Sequence, residues 1–384
     1  MSLSNIKIAI IHDWLVTFGG AERVLEQIFS CFPNAHLYVV IDFLPKHYRQ
    51  FIQDKIIKTS FIQQLPFANR MYWYYSPLMP LAIEQFDLSE YEIVISSSYA
   101  VAKGIIAGPD QLHISYIHSP IRFAWDLKHY YLKAFNYEQG VKSLLARLLF
   151  HYLKLWDGSS VSSIDSIITN SHFTARRILK AYRRNSTIIY PPVNTNIFTC
   201  HTEKEDFYLV ASFMNPFKRI DLVVDTFTKM PSRKLVVIGD GPEFKNIQTK
   251  ATSNISFLGY VPVEKLRDYM QRAKAFIFAA PEDFGIIMVE AQACGTPVIA
   301  YGKGGAVEIV RDLNSQCPTG VLFSQQTVNS LVQAIEKFEM EECRIAFEDC
   351  RRNALRFAPE YFREELKLFV KQKWSEFKRQ LSRE

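Results

Sequence analysis

The sequence of 384 residues predicts an α/β protein built from two doubly wound parallel sheets. Three observations lead to this prediction. Short apolar segments rich in β-branched residues alternate with segments of helical length, which is typical of parallel strands covered by helices on both faces. This rhythm runs twice along the chain. The length, at ~150 residues per domain, also favours two domains.

In the first half of the chain, the pattern begins with a strand at Ile6–Ile11, a Gly-Gly turn and a helix at Ala21–Phe32. Five further apolar segments are predicted as strands, at His36–Ile41, Ile93–Ser96, Ile114–Ile117, Ser166–Asn170 and Thr187–Tyr190.

The second half repeats the alternation. Six strands are predicted, at Tyr208–Ser212, Lys234–Gly239, Ile255–Leu258, Ala275–Phe278, Pro297–Ala300 and Gly320–Phe323. Helices are predicted between them, for example at Arg219–Lys229, Val263–Ala273 and Gly285–Cys294.

The domain boundary is predicted at Pro191-Pro192, because prolines lack the backbone N–H that a strand needs. We therefore expect an N-terminal domain of residues 1–190 and a C-terminal domain of residues 191–358. Residues 359–384 have the pattern of a charged helix, which we expect to pack back on the N-terminal domain.

Composition excludes several classes of protein. Hydrophobic residues make up 48% and charged residues 22%, which are values of a globular chain and not of a disordered one. The six cysteines form no C-x-x-C pair and the nine histidines no H-E-x-x-H motif, so neither a disulfide framework nor a metal site is expected. No apolar run reaches ~20 residues, and the first residues lack the features of a signal peptide. We therefore expect a cytoplasmic protein.

The net charge of +6 is unevenly distributed. Residues 1–190 contain 19 Lys and Arg against 14 Asp and Glu, and residues 122–154 combine six basic residues with many aromatic and aliphatic ones. Two interpretations stay open. The segment could bind an anionic membrane surface, at ~1 kcal/mol per basic residue, or its apolar stripe could pack inside the protein. No motif for binding nucleic acid is present.

Candidate ligand-binding residues follow the predicted strands, where doubly wound sheets bind their ligands. Gly19 and Gly20 open a helix, whose unpaired N–H groups suit an anion, although without further context a plain tight turn is the favoured explanation of two adjacent glycines. Lys218 and Arg219 also stand at a helix start, where cations are unfavourable unless an anion shares the site. Asp13 follows the first strand, and contact with a ligand or with a loop stays open.

The strongest local signal lies between Pro281 and Ala300, where Glu282 and Glu290 are eight residues apart. If a helix began near Phe284, it would separate the two acids by ~12 Å. That distance exceeds the ~5–9.5 Å of a glycosidase carboxylate pair. It would suit an elongated ligand with hydroxyl groups at both ends and phosphate between them, which is the form of a nucleotide sugar.

The E-x7-E arrangement of Glu282 and Glu290 within EDFGIIMVEAQACGTPVIA resembles the signature of glycosyltransferase family 4. The resemblance extends over nearly the whole chain, through HDWLVTFGGAERV, YIHSPIRFAWD, ITNSHFTARRILKAYRR, PFKRIDLVVDTF, VVIGDGPE and GGAVEIV. It is closest to the bacterial mannosyltransferases that build lipopolysaccharide and exopolysaccharide. It implies a GT-B fold, with two Rossmann-like domains facing each other across a cleft, and a retaining hexosyltransferase that uses a nucleotide sugar, with GDP-mannose as the example.

The resemblance also implies roles for residues. Catalytic roles fall to His118 near the anomeric centre, Lys218 at the departing diphosphate and Glu282 at the hydroxyl groups of the donor sugar. Binding of the donor is expected from Gly19, Gly20, Arg219, Phe284, Gly285, Ile286 and Glu290. Arg122 is expected to face the acceptor or the phosphates, and Asp13 the acceptor or a loop. The acceptor is a glycan or a lipid-linked sugar, and no metal or other cofactor is expected.

One position departs from the family pattern. Relatives usually carry an arginine a few residues before the lysine, whereas this chain has Phe213 and no cation from Ala211 to Met214. The loss of such a contact costs ~10²–10³ in rate when nothing replaces it. A non-catalytic binding partner in the same pathway therefore stands as the alternative to an active enzyme located on the inner face of the plasma membrane.

Overall fold

The computed structural model describes residues 6–134 and 136–382, which form two compact units. The first unit runs to Pro192 and includes the chain again from Glu360, and the second is Val193–Pro359. Each unit contains one parallel sheet with helices, so the predicted fold class is confirmed. Residues 1–5, on which most of the expectation about a signal peptide depends, lie outside the described residues.

The first unit contains a seven-stranded sheet in the order β3-β2-β1-β4-β5-β6-β7. Its strands are β1 Ile8–His12, β2 His36–Val39, β3 Ile57–Thr59, β4 Ile93–Ser98, β5 Leu112–Ile117, β6 Ser166–Thr169 and β7 Thr187–Ile188. All of the strand pairs are parallel.

Helices cover both faces of this sheet. They are α1 Gly20–Cys31, α2 Ala68–Met71, α3 Met79–Glu84, α4 Lys128–Ala134, α5 Gly140–Ser160 and α6 His172–Tyr182. One face packs against α1 and against the C-terminal helix of the chain at Pro359–Leu381, which buries Phe362, Leu366, Val370 and Trp374 in the same core. The C-terminal helix is thus part of the first unit from Glu360 onwards.

The second unit contains a six-stranded parallel sheet in the order β10-β9-β8-β11-β12-β13. Its strands are β8 Glu205–Ala211, β9 Leu235–Ile238, β10 Ile255–Gly259, β11 Ala273–Phe278, β12 Val298–Tyr301 and β13 Gly320–Phe323. Its helices are α7 Ile220–Phe227, α8 Phe244–Gln248, α9 Val263–Arg272, α10 Ile286–Ala293, α11 Ala306–Ile309, α12 Val328–Glu341 and α13 Phe347–Leu355; the C-terminal helix is α14.

Each sheet reverses its strand order once, and this reversal positions the candidate site. In the first unit the chain moves outward from β1 to β3 and then returns to β4 beside β1. In the second unit it moves from β8 to β10 and returns to β11 beside β8. Loops that leave the carboxyl ends of two such neighbouring strands diverge and open a crevice, where doubly wound proteins bind ligands.

The predicted strands all overlap observed strands, with ends that differ by at most three residues. The strand β3 was not predicted. It has only three residues, lies at the edge of the sheet and is largely exposed, so it lacks the apolar run by which buried strands are recognised. Among the described residues, no helix combines the length and apolar character needed to cross a membrane.

Candidate functional site

Lys218 and Glu282 come together in the second unit at the reversal of strand order. Lys218 ends a short turn after β8, and Glu282 lies in the loop after β11. The Lys218 ammonium forms an ion pair with Glu282 Oε1, and the two side chains are 20% and 13% exposed. Two residues predicted to act on one ligand, 64 positions apart in sequence, thus contact each other directly.

The loop after β11 turns into α10 through Gly285. Gly285 has φ of +98°, and a Cβ atom there would lie 2.4 Å from Met288 Cε, so this position requires glycine. Among the first N–H groups of α10, that of Met288 donates to Gly285 O at 3.0 Å, and those of Ile286 and Ile287 have no acceptor within the helix. They present a site for an anion close to Glu282 in the chain.

Glu290 is the fifth residue of α10 and is only 3% exposed. Because the helix begins at Ile286, Glu282 lies in the preceding loop and not on the same helix. The derivation of ~12 Å along one helix, made for a helix beginning near Phe284, therefore does not apply to these two acids. The Phe284 side chain is buried against the Phe357 ring, 5.3 Å between centroids, so Phe284 offers a ligand its main chain only.

A glycine loop after β12 packs on the Glu282 loop; the sequence analysis quoted its GGAVEIV motif but assigned it no role in the site. Gly304 forms an isolated parallel bridge with Glu282, and the Gly305 N–H donates to Glu282 O at 2.8 Å. A Cβ atom on Gly304 would lie 2.2 Å from that carbonyl oxygen. The signal was present as Gly302-Lys303-Gly304-Gly305 directly after a predicted strand. The loop also contains Lys303, whose side chain is exposed. In the sequence, Lys303 directly precedes Gly304 and Gly305, which contact Glu282.

The two other residues singled out near Lys218 are exposed to different degrees. Arg219 is in the left-handed region with φ of +55°, and its Nε donates to Asp221 Oδ1 at 3.3 Å. Phe213, which occupies the position of the usual arginine, is 62% exposed at the carboxyl end of β8. An aromatic side chain is thus exposed to solvent where the family resemblance leads one to expect a cation.

In the first unit, Asp13 holds the loop after β4. Its carboxylate accepts four backbone hydrogen bonds, from the N–H groups of Tyr99, Ala100, Val101 and Ala102 at 2.6–3.1 Å. The side chain is fully buried. Of the two roles left open for Asp13, the structure shows the contact with the loop.

His118 directly follows β5, and its position is fixed through its backbone and its ring. The His118 N–H donates to Ser98 O at 2.8 Å, and Asn170 Nδ2 donates to His118 O at 3.0 Å. The His118 Nε2 atom lies 2.9 Å from Ser97 Oγ. The half-buried Tyr99 ring packs edge-on against His118, 6.2 Å between centroids. Burial raises the pKa of Tyr99 well above its usual value, and the nearby Glu22 and Asp13 carboxylates add to this shift.

The glycine turn at the start of α1 has a different geometry from the predicted one. Gly19 is the N-cap residue, and its N–H donates to Glu22 Oε2 at 2.8 Å. The N–H of Gly19 is therefore already paired within the protein. The N–H groups that α1 can offer to an anion begin at Gly20, the first residue of the helix. The Gly-x-x-Glu spacing of a capping box was the signal that could have identified Glu22.

Arg122 lies in the turn that follows β5 and is half-buried. Its carbonyl oxygen accepts from the Leu127 N–H at 3.0 Å. Arg177 of α6 stabilises the same segment through two hydrogen bonds to Asp126, each 2.7 Å long. The course of this turn is therefore fixed by contacts made inside the first unit.

Within the described residues, no group of three or more His, Cys, Asp and Glu side chains could hold a metal ion. The groups that come together in the second unit are a lysine, a carboxylate and the start of α10. Such groups suit a ligand with a charged phosphate part and several hydroxyl groups.

Two family models match the chain. The model described as Glycosyltransferase Family 4 matches residues 18–220, which is more than half of the chain. The model described as Glycosyl transferases group 1 matches residues 198–357. Among curated proteins, an uncharacterised glycosyltransferase of Methanocaldococcus jannaschii is 27% identical over 208 residues, which cover 53% of this chain and 56% of the relative. The chain thus spans about half the length of such curated relatives.

Solved structures share the fold. The Anabaena protein HepE, in complex with UDP and glucose, has a TM-score of 0.71 and 17% identity, with 96% of this chain and 100% of that chain covered. WaaB, a lipopolysaccharide outer core galactosyltransferase, has a TM-score of 0.65 and 16% identity, with 95% and 100% covered. These likenesses agree with the GT-B fold that the resemblance implied.

Proposed function

The chain belongs to glycosyltransferase family 4, and from that premise we propose that it transfers a hexose from a nucleoside-diphosphate sugar to a hydroxyl group of a glycan or a lipid-linked acceptor. The observation that carries this proposal is the ion pair of Lys218 and Glu282 beside the start of α10. A cation and helix N–H groups suit a diphosphate, and a carboxylate suits sugar hydroxyl groups.

The paired side chains suggest how the donor is accommodated. Lys218 and Glu282 neutralise each other when no ligand is bound. A diphosphate with two negative charges competes for the Lys218 ammonium and releases the Glu282 carboxylate, which then accepts hydrogen bonds from the sugar. One ligand with both chemical parts therefore gives each residue a new partner.

Departure of the nucleoside diphosphate develops negative charge, which preorganised donors must stabilise. Lys218 and the N–H groups at the start of α10 supply this stabilisation without a metal ion. We propose that His118 contacts the sugar that is transferred, and that the acceptor hydroxyl attacks the face that the diphosphate leaves. The configuration is then retained, and a phosphate oxygen of the leaving group takes the proton of the acceptor.

A replacement for the missing arginine is available in the glycine loop. Lys303 is exposed, and within the described residues its ammonium has neither a carboxylate nor a hydrogen-bond acceptor as partner. Its neighbour Gly304 is bridged to Glu282. We propose that Lys303 supplies the second cation for the diphosphate, while Arg219 contributes less because it already contacts Asp221.

The outer face of α5 is the surface proposed to contact a membrane. Its residues at helical spacing are exposed and apolar: Val141, Leu144, Leu145, Leu148, Tyr152 and Leu155. The opposite face is buried and packs inside the unit through Phe150 and Leu153. One face of the helix thus packs internally, and we propose that the exposed face binds a membrane surface.

The charges beside this face suit an anionic lipid surface. Lys142, Arg147 and Lys154 are exposed along α5, whereas the one acid of the helix, Asp157, is fully buried in an ion pair with Lys103. The apolar surface continues onto α3, because Trp156 Nε1 donates to Glu84 Oε1 at 2.5 Å and Leu81, one turn before Glu84, is exposed. We propose peripheral binding to the inner face of the plasma membrane, where a lipid-linked acceptor in polysaccharide synthesis would be found.

The proposed transferase is tested with the purified full chain. We expect a nucleoside diphosphate, with GDP and UDP compared, to raise the melting temperature, and the matching nucleotide sugars, including GDP-mannose, to be hydrolysed slowly without an acceptor. Lys218→Ala should abolish both effects. Lys250→Ala is the control, since Lys250 pairs with Asp225 at the surface of the same unit. No response to any nucleoside diphosphate would refute the proposal.

The second candidate is a non-catalytic binding partner in the same pathway, which Phe213 in place of a cation favours. The two candidates separate in one experiment. A binding protein would show the melting shift with nucleotide sugars but no hydrolysis or transfer, and replacing Phe213 by Arg would then be expected to restore neither.

A further inference from the structure

Four buried polar side chains form a hydrogen-bonded chain through the first unit. His118 Nε2 lies 2.9 Å from Ser97 Oγ, which lies 3.2 Å from His12 Nδ1. His12 Nε2 lies 3.4 Å from Glu22 Oε1, and Glu22 Oε2 accepts from the Gly19 N–H at 2.8 Å. We propose that Glu22, His12 and Ser97 are positioning residues that fix the tautomer of His118. We name these three the relay residues.

Burial makes the relay residues dependent on one another. His12 and Ser97 are fully buried, and Glu22 is 5% exposed. A buried polar atom without a partner costs ~1–3 kcal/mol, so each of these groups must donate or accept as its neighbour requires. Inside a protein, hydrogen bonds of this kind also polarise one another. The ionisation state of Glu22 therefore determines which atoms donate and which accept in every hydrogen bond of the chain, up to the His118 ring.

The direction of every hydrogen bond follows from the carboxylate. An ionised carboxylate only accepts, so His12 must donate to Glu22 from Nε2. A neutral His12 then accepts at Nδ1, and the acceptor is satisfied by the Ser97 hydroxyl proton. The Ser97 oxygen in turn accepts from His118 Nε2. Neutral His118 consequently carries its proton on Nε2 and its lone pair on Nδ1.

The opposite face of the sheet contains a matched pair that lacks the carboxylate. Ser96, the neighbour of Ser97 in β4, lies 2.8 Å from His113 Nε2 through its Oγ atom. His113 is fully buried, and burial lowers its pKa to about 4. Ser96 and His113 form the same kind of contact on the same strand, but they are not connected to Glu22. Ser96 and His113 therefore provide the control for the relay residues.

The relay also connects His118 to the start of α1. The carboxylate that determines the tautomer holds the N–H of the N-cap residue Gly19. Tyr99 packs edge-on against both histidine rings, at 5.9 Å from His12 and 6.2 Å from His118, which keeps the rings in place. A change at Glu22 is thus expected to reach His118 through the proton arrangement, without requiring His118 to move.

The test is NMR of the full chain with ¹⁵N-labelled histidine, because the shifts of the two ring nitrogens distinguish the tautomers. Neutral His12 and His118, assigned by single replacement of each ring, are expected to carry the proton on Nε2. In Glu22→Gln the amide oxygen takes the Gly19 N–H and the amide NH₂ donates to His12, so both rings should change to the Nδ1–H form. Wild-type rings in the Nδ1–H form, or rings unchanged in Glu22→Gln, would overturn the proposal.

Ser97→Ala provides a second variant if Glu22→Gln does not fold. It should leave His12 in the Nε2–H form and remove the preference of His118, whereas Ser96→Ala should alter neither ring. A loss of preference at His118 in Ser96→Ala as well would also overturn the proposal.

The consequence for catalysis rests on the proposed function. Ser97→Ala and Glu22→Gln are expected to lower kcat at least ~10-fold, with the Kd of the nucleoside diphosphate unchanged within ~2-fold, since the wrong tautomer impairs chemistry and not binding. A merely structural defect would lower kcat and would also weaken the binding of the nucleoside diphosphate. The failure of the proposed function is distinguishable, because a wild-type protein without transferase activity would still report its histidine tautomers.

Discussion

Replacement of Glu282 by Gln is expected to separate the two functions proposed for the ion pair with Lys218. In the protein without ligand, Glu282 occupies the Lys218 ammonium that the diphosphate requires. Glutamine keeps the shape of the side chain and removes its charge. We therefore expect a free nucleoside diphosphate to bind Glu282→Gln more tightly than the wild type.

The magnitude follows from the exposure of the pair. Two unit charges at about 4 Å with an effective dielectric constant of 20 attract each other by ~4 kcal/mol. Side chains that are 20% and 13% exposed realise only part of this, since partly exposed pairs are screened by solvent. Release of Lys218 should thus improve the affinity by ~1 kcal/mol, or about fivefold. Lys218→Ala should weaken the affinity for the nucleoside diphosphate by ~2–4 kcal/mol, because a charge-assisted contact to the ligand is lost.

Isothermal titration at constant ionic strength measures both variants against a nucleoside diphosphate and against its sugar conjugate. Glu282→Gln should bind the free nucleoside diphosphate more tightly than the wild type does. For the sugar conjugate, weaker contacts to the sugar hydroxyl groups should offset this gain in affinity. The transfer rate should fall at the same time. Lys250→Ala is the control with one surface cation removed. If Glu282→Gln weakened the binding of the free nucleoside diphosphate as much as Lys218→Ala does, the proposed exchange of partners would be incorrect.

Four further predictions concern other parts of the two units. Glu290→Ala should weaken nucleotide binding more than His118→Ala, which should mainly slow transfer; the opposite ranking in titration and rate measurements would show that the roles are misassigned. Lys303→Ala should weaken diphosphate binding by ~1–2 kcal/mol, and more at low than at high salt, because an exposed cation is lost. Leu148→Asp should reduce binding to anionic vesicles at least ~10-fold, since it removes one apolar side chain from the interface and adds a negative charge, and equal binding of the wild type to neutral vesicles would exclude the electrostatic part. Asp13→Asn should lower the free energy of unfolding in urea by about 3 kcal/mol or more, because in the variant an amide NH₂ would face backbone N–H groups that donate to the carboxylate in the wild type. A change below ~1 kcal/mol would show that the loop does not depend on the carboxylate.

The parallel sheets were predictable because each buried strand leaves an apolar run that is independent of the rest of the fold. The contact of Lys218 with Glu282 was predictable only as far as both follow strands. Their proximity depends on β11 lying beside β8, which results from the reversal of strand order and is not encoded in either motif. The family resemblance supplied this pairing, and the spacing of Glu282 and Glu290 did not, because the loop before Ile286 is not helical.

The residues that sequence reasoning missed are those whose partners lie far away in the chain. Ser97 is a small polar residue in a run of three serines, and nothing in that run distinguishes it from Ser96. Only the alternation of faces in β4 directs Ser97 towards His12 and His118, and Ser96 towards His113. Strand register therefore separates a residue of the candidate site from a residue of the core.

The acids that follow β1 show that residue type alone does not assign a role. Asp13 and Glu22 both lie at the end of the sheet where ligands bind, and both are buried there with their oxygens committed to protein groups. Asp13 determines the course of the loop that carries Tyr99, and Glu22 holds the first residues of α1. Neither is therefore expected to touch a substrate, and yet each contacts a neighbour of His118. The site in the first unit thus depends on buried carboxylates that position its groups, whereas Glu282 in the second unit keeps an exposed edge and pairs with Lys218, the partner that we propose a diphosphate displaces.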